Sequence, residues 1–331
     1  MKTFVIAEAG ANHDRNYNQA IKLIDIAKDA GASAVKFQTY SSETLYAKNT
    51  PNFAGYKNIN KLIKNIELPR EWQKDLKEYS DKIGIEFMST PFDEKAVEEL
   101  VDLGVKRLKI SGFESTDFRF VEMVASSKLP LIISIGIGFP TNYMGKILDI
   151  AEKYGNELSL LHCQNAYPTP VSEINLGVIQ TLKHFRNVKK AGLSDHTTSI
   201  NVPAFAVAAG ADIIEKHYTV SRSMSGPDHK FALEPNELQT MISLIKEAEQ
   251  AMSKNLDLYA ICEKPFINAM RSVVSTRKIL KGETLTLENT TTKRPYFDGC
   301  IPAIKYEYAL NKIVNTDIEE DILIKEEYVI R

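Results

Sequence analysis

Two lysines stand inside apolar runs, Lys36 in Ala34-Val35-Lys36-Phe37 and Lys109 in Arg107-Leu108-Lys109-Ile110. A lysine so placed is costly unless it meets an anion. Three chemistries are open to the pair. They form structural ion pairs with Glu8 or Glu114, they face the phosphate and carboxylate of an anionic substrate, or one of them forms a Schiff base. A Schiff base needs one lysine of lowered pKa, whereas two neighbouring cations suit anion binding. Two histidines, His196 and His217, end two later apolar runs. On neighbouring strands, roughly 4.8 Å apart, both imidazoles reach one divalent ion, with Mn2+ the first expectation and Mg2+ or Co2+ the others. The plainer reading makes each a hydrogen-bonding group beside Asp195 or Glu215. The phrase Ser223–Lys230 carries Asp228 and His229 after a Gly226-Pro227 turn, as aimed side chains or as turn caps.

These residues need elements to hold them. Eight short β-branched runs read as strands: Thr3–Ala7, Ala34–Gln38, Ile85–Ser89, Arg107–Ile110, Leu131–Ile135, Leu158–His162, Lys190–Leu193 and Asp212–Glu215. Amphipathic stretches alternate with them at Asn18–Ala30, Arg70–Ile83, Glu94–Leu103, Phe118–Ser126, Asn142–Tyr154, Glu173–His184 and Asn201–Ala209, and Pro235–Met252 follows the last. Gly31, Gly84, Gly104, Gly155 and Gly210 end helical stretches just before a strand, where a left-handed cap is needed. Eight strand-then-helix units predict an α/β closed parallel (β/α)8 barrel over residues 1–252, in preference to an open doubly wound sheet. Residues 253–269 read as a linker. Residues 270–331 form a small β-rich segment with Lys281-Gly282-Glu283 and Lys293-Arg294-Pro295, expected to pack against a barrel rather than stand free.

A barrel of this kind works at the C-terminal ends of its strands. Those ends carry Glu8, Asn12 and His13; Lys36 and Gln38; Ser89 and Thr90; Lys109, Ser111 and Glu114; Ser134; His162, Gln164, Asn165 and Tyr167; Ser194, Asp195 and His196; and Glu215 with His217. His162 reads as a core histidine and His184 as a helix-surface residue.

The composition narrows the function classes. With 41 basic and 43 acidic residues in 331, and a net charge of -2, there is no basic surplus for a nucleic acid. No run is long enough to span a membrane, and Glu8 interrupts the N-terminal apolar run before it reaches signal length. Cys163, Cys262 and Cys300 are sparse and read as free thiols, which makes the cytoplasm the expected compartment.

The strand-end phrases carry a resemblance. Ala7-Glu8-Ala9-Gly10-Ala11-Asn12-His13, Val35-Lys36-Phe37-Gln38-Thr39, Ser89-Thr90-Pro91-Phe92, Leu108-Lys109-Ile110, Asn165–Pro170, Gly192–Thr197, Ile214–Tyr218 and Gly226-Pro227-Asp228 occur in the order seen in sialic acid synthases. The chain resembles the N-acetylneuraminate, legionaminate and pseudaminate synthase family, and its tail resembles the antifreeze-like (SAF) domain of those enzymes. The resemblance implies a TIM barrel followed by a SAF domain, in a domain-swapped homodimer. It implies a metal-dependent, carbon–carbon bond-forming transferase. That enzyme joins phosphoenolpyruvate to N-acetylmannosamine, or a close N-acyl amino sugar, and releases phosphate.

Its alternatives are a 6-deoxy-diacetamido hexose, as in legionaminate or pseudaminate synthesis, or the sugar 6-phosphate. A reading of another class is non-enzymatic glycan or ice binding by the tail. Carried over by motif, His196 and His217 hold the metal. Lys36, Thr90, Lys109, Ser134, Asn165 and Ser194 hold phosphoenolpyruvate, with Ser111 beside them. Glu8, Gln38, Tyr167, Glu215 and Asp228 line the sugar or catalytic space, and Arg294 reaches the N-acyl group bound in the partner subunit. The chain departs from the family phrases at Gly112, where serine is usual, at Ile135, where threonine is usual, and at Tyr296–Cys300, which replaces a small glycine-rich loop.

Overall fold

The protein is described by a computed structural model covering residues 3–52, 55–137, 139, 141–252 and 261–330. The chain divides into two compact units, Met1–Ser253 and Lys254–Arg331.

The first unit is a (β/α)8 TIM-type barrel. Its eight parallel strands are β1 Phe4–Glu8, β2 Ala34–Thr39, β3 Glu86–Pro91, β4 Leu108–Ile110, β5 Leu131–Ile135, β6 Leu158–Cys163, β7 Val188–Asp195 and β8 Ile213–His217. They run β3-β2-β1-β8-β7-β6-β5-β4 in one sheet, and β3 packs beside β4 without a hydrogen-bonded ladder. The helices are α1 Tyr17–Ala30, α2 Ser42–Leu45, α3 Ile59–Ile66, α4 Gln73–Ile83, α5 Glu94–Asp102, α6 Phe118–Ala125, α7 Met144–Tyr154, α8 Val178–Lys183, α9 Val202–Ala208 and α10 Pro235–Ala251.

Local chemistry sets their ends. Asn16, Asp93 and Asp117 accept backbone N–H bonds at the starts of α1, α5 and α6. Glu234 and Glu237 form a reciprocal capping box at α10. Gly31, Gly84 and Gly155 cap α1, α4 and α7 in the left-handed conformation. The helix expected over Glu173–His184 is shorter than its periodicity suggests. A 3₁₀ turn covers Val171–Glu173, Asn175 takes a positive φ of 44°, and regular helix begins at Val178.

Alternation along the strands creates the layer that does chemistry. Ile6, Ala34, Met88, Ile132, Leu161 and Ile213 form an apolar cluster distinct from the one between strands and helices. Side chains two residues further along a strand point the same way. On those six strands the next inward positions are Glu8, Lys36, Thr90, Ser134, Cys163 and Glu215. All six are buried. Each large aliphatic side chain in the lower layer contributes about 1.5–3 kcal/mol by leaving water. That layer forms a dry floor beneath a ring of polar groups.

The segment between β2 and α4 is long and carries α2 and α3. Its apolar residues form a separate cluster: Ile59 and Ile63 pack with Tyr40, and Leu45, Tyr46, Leu62, Ile66 and Phe92 lie against them. Tyr40 meets Phe92 edge-on, with ring centroids 5.6 Å apart.

The second unit has its own core of Val273, Ile279, Leu285, Ile301, Ala309, Val314, Ile318 and Ile324. Two antiparallel pairs frame it, β9 Ser272–Ser275 with β10 Thr290–Lys293, and β11 Ile313–Val314 with β12 Val329–Ile330. Of the linker expected over 253–269, residues 253–260 lie outside the described residues, and Ile261–Ala269 is a 3₁₀ helix.

Candidate active site

The C-terminal strand ends enclose a cavity lined by Glu8, Lys36, Gln38, Thr90, Phe92, Lys109, Ser111, Gly112, Ser134, Cys163, Asn165, Tyr167, Ser194, His196, Glu215 and His217. Every strand contributes at its end or in the loop just beyond. Thirteen of the residues singled out from sequence therefore meet in one place. Asp228 lies beside this cavity rather than in its lining, with Oδ2 accepting the Ala11 N–H at 3.1 Å. Arg294 is exposed on the second unit, directly after β10.

The charged centre is a buried network of two carboxylates and two ammonium groups. Lys36 Nζ lies 2.6 Å from Glu8 Oε2 and 3.7 Å from Glu215 Oε1, and donates to Thr90 Oγ1 at 2.9 Å. Lys109 Nζ lies 3.6 Å from the same Glu215 oxygen and donates to Ser134 Oγ at 2.8 Å. The ion-pair reading of the sequence therefore holds for Lys36 with Glu8 and for both lysines with Glu215, which sits between them. Glu114 takes no part in the pairing. It accepts from the Ser111 hydroxyl instead.

The two carboxylates are unlike. Burial pushes Glu8 up to about 7; Lys36 opposes this shift and the negative Glu215 adds to it. Burial acts on Glu215 too, but Lys109 and Lys36 outweigh it and hold its pKa below the usual value. The lysines also part company. Burial works against the Lys36 ammonium, yet Glu215 and Glu8 raise its pKa, while burial lowers that of Lys109 despite Glu215. Two like groups in one site, pushed apart by their surroundings, divide into one that exchanges protons near neutrality and one that stays charged.

Asn165 is held by what is missing around it. A Cβ on Gly112 would lie 2.8 Å from Asn165 Oδ1, and one on Gly136 would lie 2.6 Å from the same atom while striking the Cys163 carbonyl. The family departure at Gly112 is therefore the space that Asn165 occupies. Asn165 Oδ1 and Glu215 Oε2 are buried acceptors on two cavity residues with no hydrogen bond to another protein group.

His196 and His217 face each other with ring centroids 5.5 Å apart, and Tyr167 lies over His196 at 4.3 Å. His196 Nδ1 donates to the Gln164 carbonyl at 2.7 Å, which leaves Nε2 as its lone-pair nitrogen. Burial lowers the pKa of both rings and keeps them neutral. Two neutral imidazoles on one wall fit a divalent cation. Among the described residues no three His, Cys, Asp or Glu side chains form a fuller shell, so water and substrate would complete it.

The loop bearing His196 is anchored from behind. Asp195 and Lys216 are register partners, and Lys216 Nζ meets Asp195 Oδ2 at 2.6 Å and the Thr197 carbonyl. Cys163, Phe92 and Lys216 were not singled out from the sequence. Cys163 ends an apolar run and reads only as a free thiol, with its inward register, two residues beyond Leu161, the one signal of a cavity position; Phe92 closes the phrase Ser89-Thr90-Pro91-Phe92 without a role assigned to it. Lys216, between Glu215 and His217, carried the same signal as Lys36. Two further histidines behave as read: His162 is buried with Nε2 2.7 Å from the Ile174 carbonyl, and His184 lies exposed at the C-cap of α8. His13, in the loop after β1, accepts the Arg15 N–H at Nδ1.

An eight-stranded barrel with a cation-bearing cavity at its strand ends, joined to a small β unit, defines a two-domain barrel enzyme. The chain matches the NeuB family over residues 23–257 and the SAF domain over residues 270–328, and it belongs to the NeuB family. It is 38% identical to an N,N'-diacetyllegionaminic acid synthase of Campylobacter jejuni, over 98% of this chain and 99% of that one. It is 34% identical to a pseudaminic acid synthase of the same species, over 98% and 96%. The crystal structure of a sialic acid synthetase from Leptospira borgpetersenii, solved with citrate, is 35% identical. It covers 81% of this chain and 91% of its own with a TM-score of 0.74. Among the described residues no helix is long and apolar enough to cross a membrane.

Proposed function

We propose that this chain condenses phosphoenolpyruvate with the open-chain form of an N-acylated 2-amino hexose and water, giving a nonulosonic acid and phosphate. The observation that carries the reading is the cavity itself. Lys36 and Lys109, with the Thr90, Ser134 and Ser194 hydroxyls and Asn165, make one polar wall, and His196, His217 and Tyr167 make the other. The first wall suits a phosphate and a carboxylate on one small molecule. The likeness to the C. jejuni legionaminate enzyme favours a 6-deoxy-2,4-diacetamido sugar over N-acetylmannosamine.

The chemistry needs a carbon–carbon bond, a water addition and a phosphate departure. The methylene carbon of phosphoenolpyruvate attacks the sugar aldehyde carbon, and the aldehyde oxygen takes up a proton. Positive charge then gathers at the enol carbon, where water adds and loses a proton. The resulting intermediate breaks its carbon–oxygen bond to phosphate while its new hydroxyl gives its proton to the departing phosphate, which leaves a ketone. Lys36 and Lys109 hold the phosphate and carboxylate throughout, which fixes the attacking carbon relative to the aldehyde. Glu8 receives the water proton, because its carboxyl titrates near neutrality while Glu215 stays ionised between the lysines. His196 and His217 would hold a divalent cation, Mn2+ first, which supplies Lewis-acid polarisation of an oxygen. Arg294 would serve the N-acyl group of sugar bound in a partner subunit of a swapped dimer.

The test is a product-mass and phosphate-release assay with phosphoenolpyruvate and a panel of sugars: N-acetylmannosamine, its 6-phosphate, and the manno- and altro-configured diacetamido 6-deoxy hexoses. The manno diacetamido sugar is expected to be consumed best. Exclusive use of the altro sugar would overturn the sugar assignment, and no phosphate release with any of them would overturn the reaction. Dialysis against a chelator should abolish turnover and Mn2+ restore it. Full activity in verified metal-free protein would overturn the metal role.

A further inference from the structure

The loop after β8 carries a buried histidine that the reaction does not use. His229 is fully buried, its Nδ1 2.6 Å from Thr219 Oγ1 and its Nε2 3.1 Å from both oxygens of Asp14, in the loop after β1. Asp14 has a second partner, because Gln19 Nε2 donates to its Oδ2 at 3.1 Å. Glycine at 226 permits the closure: a Cβ there would lie 2.6 Å from His229 Cδ2 and 2.9 Å from Asp14 Oδ1. The imidazole thus joins the two loops, which also meet where Asn12 Nδ2 donates to the Tyr218 carbonyl at 2.8 Å.

The residue before the pin is Asp228. Its Oδ2 accepts the Ala11 N–H at 3.1 Å, again from the loop after β1. A Cβ on Gly10, whose φ is +52°, would lie 2.7 Å from Asp228 Oδ2 and 3.2 Å from His217 Nδ1. The carboxylate and the imidazole therefore converge on the space above Gly10. His217 Nδ1 is buried and has no hydrogen-bond partner, whereas the matching nitrogen of His196 has the Gln164 carbonyl. A metal-bound histidine ordinarily donates its second nitrogen to a carboxylate or carbonyl, which fixes the ring and strengthens the ligand.

We propose that His229, locked between Asp14 and Thr219, is a positioning residue that holds Asp228 over Gly10, from where its carboxylate, not bonded to His217 Nδ1 in this structure, would become the outer partner of that nitrogen once the ring holds a cation. The Asp14–His229 bridge acts through Asp228 and touches neither substrate nor cation. The step to the cation rests on the metal reading above, while the placement of Asp228 stands without it. Gln at 229 retains an N–H donor toward Asp14, whereas Ala retains nothing.

The experiment uses the full-length protein with two readouts. Amide hydrogen exchange of the segment containing Ala11 reports whether Asp228 is in place, and titration with Mn2+ alone, followed by electron paramagnetic resonance, reports the consequence for the histidines. His229→Ala and Asp14→Ala are expected to speed Ala11 exchange to the level of Asp228→Ala and to weaken Mn2+ binding about 10–100-fold. His229→Gln should restore most of both. The double variant His229→Ala/Asp228→Ala should be no worse than Asp228→Ala, because the two act as one unit. Unchanged Ala11 exchange in folded His229→Ala protein would overturn the proposal, as would additive losses in the double variant. If His229→Ala does not fold, the same comparison is made on Asp14→Ala, and slow Ala11 exchange there overturns the proposal equally. Wild-type protein that binds no Mn2+ would overturn the outer-partner role along with the metal reading, and Ala11 exchange would still decide the positioning.

Discussion

Replacing Glu215 by Gln removes the anion that Lys36 and Lys109 share. Among the described residues it is the only carboxylate within ion-pair distance of Lys109. At 3.7 and 3.6 Å and an effective dielectric constant near 20, each attraction is worth about 4–5 kcal/mol before desolvation. Removing one member of a buried pair typically costs about 3–5 kcal/mol, because the partner charge is left uncompensated. Glu215→Gln should therefore lose about 3–5 kcal/mol of stability in phosphate-free buffer. The same change makes the cavity more positive, so inorganic phosphate should bind the variant at least about tenfold tighter, or about 1.4 kcal/mol. Phosphate at about one hundred times its Kd would then return about 2.7 kcal/mol. Urea unfolding of both proteins, with and without phosphate, measures each quantity. Wild-type stability in the variant would refute the shared-anion reasoning, equal stabilisation of the two proteins at one phosphate concentration would refute the opposition of Glu215 to a bound anion, and no stabilisation of either would refute the cavity as an anion site.

Glu8 sets the pH behaviour. As a base it must be ionised, so kcat/KM should rise up to and through about pH 7 and flatten above it, and Glu8→Gln should lose that inflection and about 10²–10⁴ of the rate. An unchanged inflection would point to another base. The folded state holds this proton longer than the unfolded chain, so the Glu8 contribution to stability should worsen as pH climbs from 4.5 towards about 7, a trend absent in Glu8→Gln. Borohydride added with either substrate should leave the protein mass unchanged, since Lys36 and Lys109 serve as cations, and a trapped adduct would show a Schiff base instead. Mixing Arg294→Ala subunits with His217→Ala subunits should restore up to about half the activity of a normal dimer per swapped heterodimer. No recovery despite proven exchange would exclude a shared site.

The barrel was legible because its periods are strong. Each strand is a short buried run, and the polar residues that interrupt those runs are types that seldom enter a core without a task. Lys36, Lys109, Ser134 and Glu215 could therefore be placed at one end of the barrel from spacing alone. Their division of labour could not. That Glu215 is shared and Glu8 is not depends on differences of about an ångström between strands, which no linear pattern encodes. The short helices Ser42–Leu45 and Ile59–Ile66 escaped notice because neither is long enough to establish a period. The helix expected from Glu173 overran because its apolar spacing continues through Asn175-Leu176-Gly177, where turn residues stop it. The pairing of Asp14 with His229 joins positions 215 residues apart and has no local signal.

Tyr40, Ile59, Ile63 and their neighbours pack against one another and against Phe92, apart from the cluster that holds strands to helices. Phe92 is a cavity wall. Substitutions in clusters without shared partners combine almost additively, and small clusters open locally below the global unfolding free energy. The links of the insertion after β2 to the barrel run through Phe92 and through polar pairs such as Arg15–Glu67 and Thr44–Asp93, so changes in its apolar cluster should reach the cavity wall before they reach the barrel core.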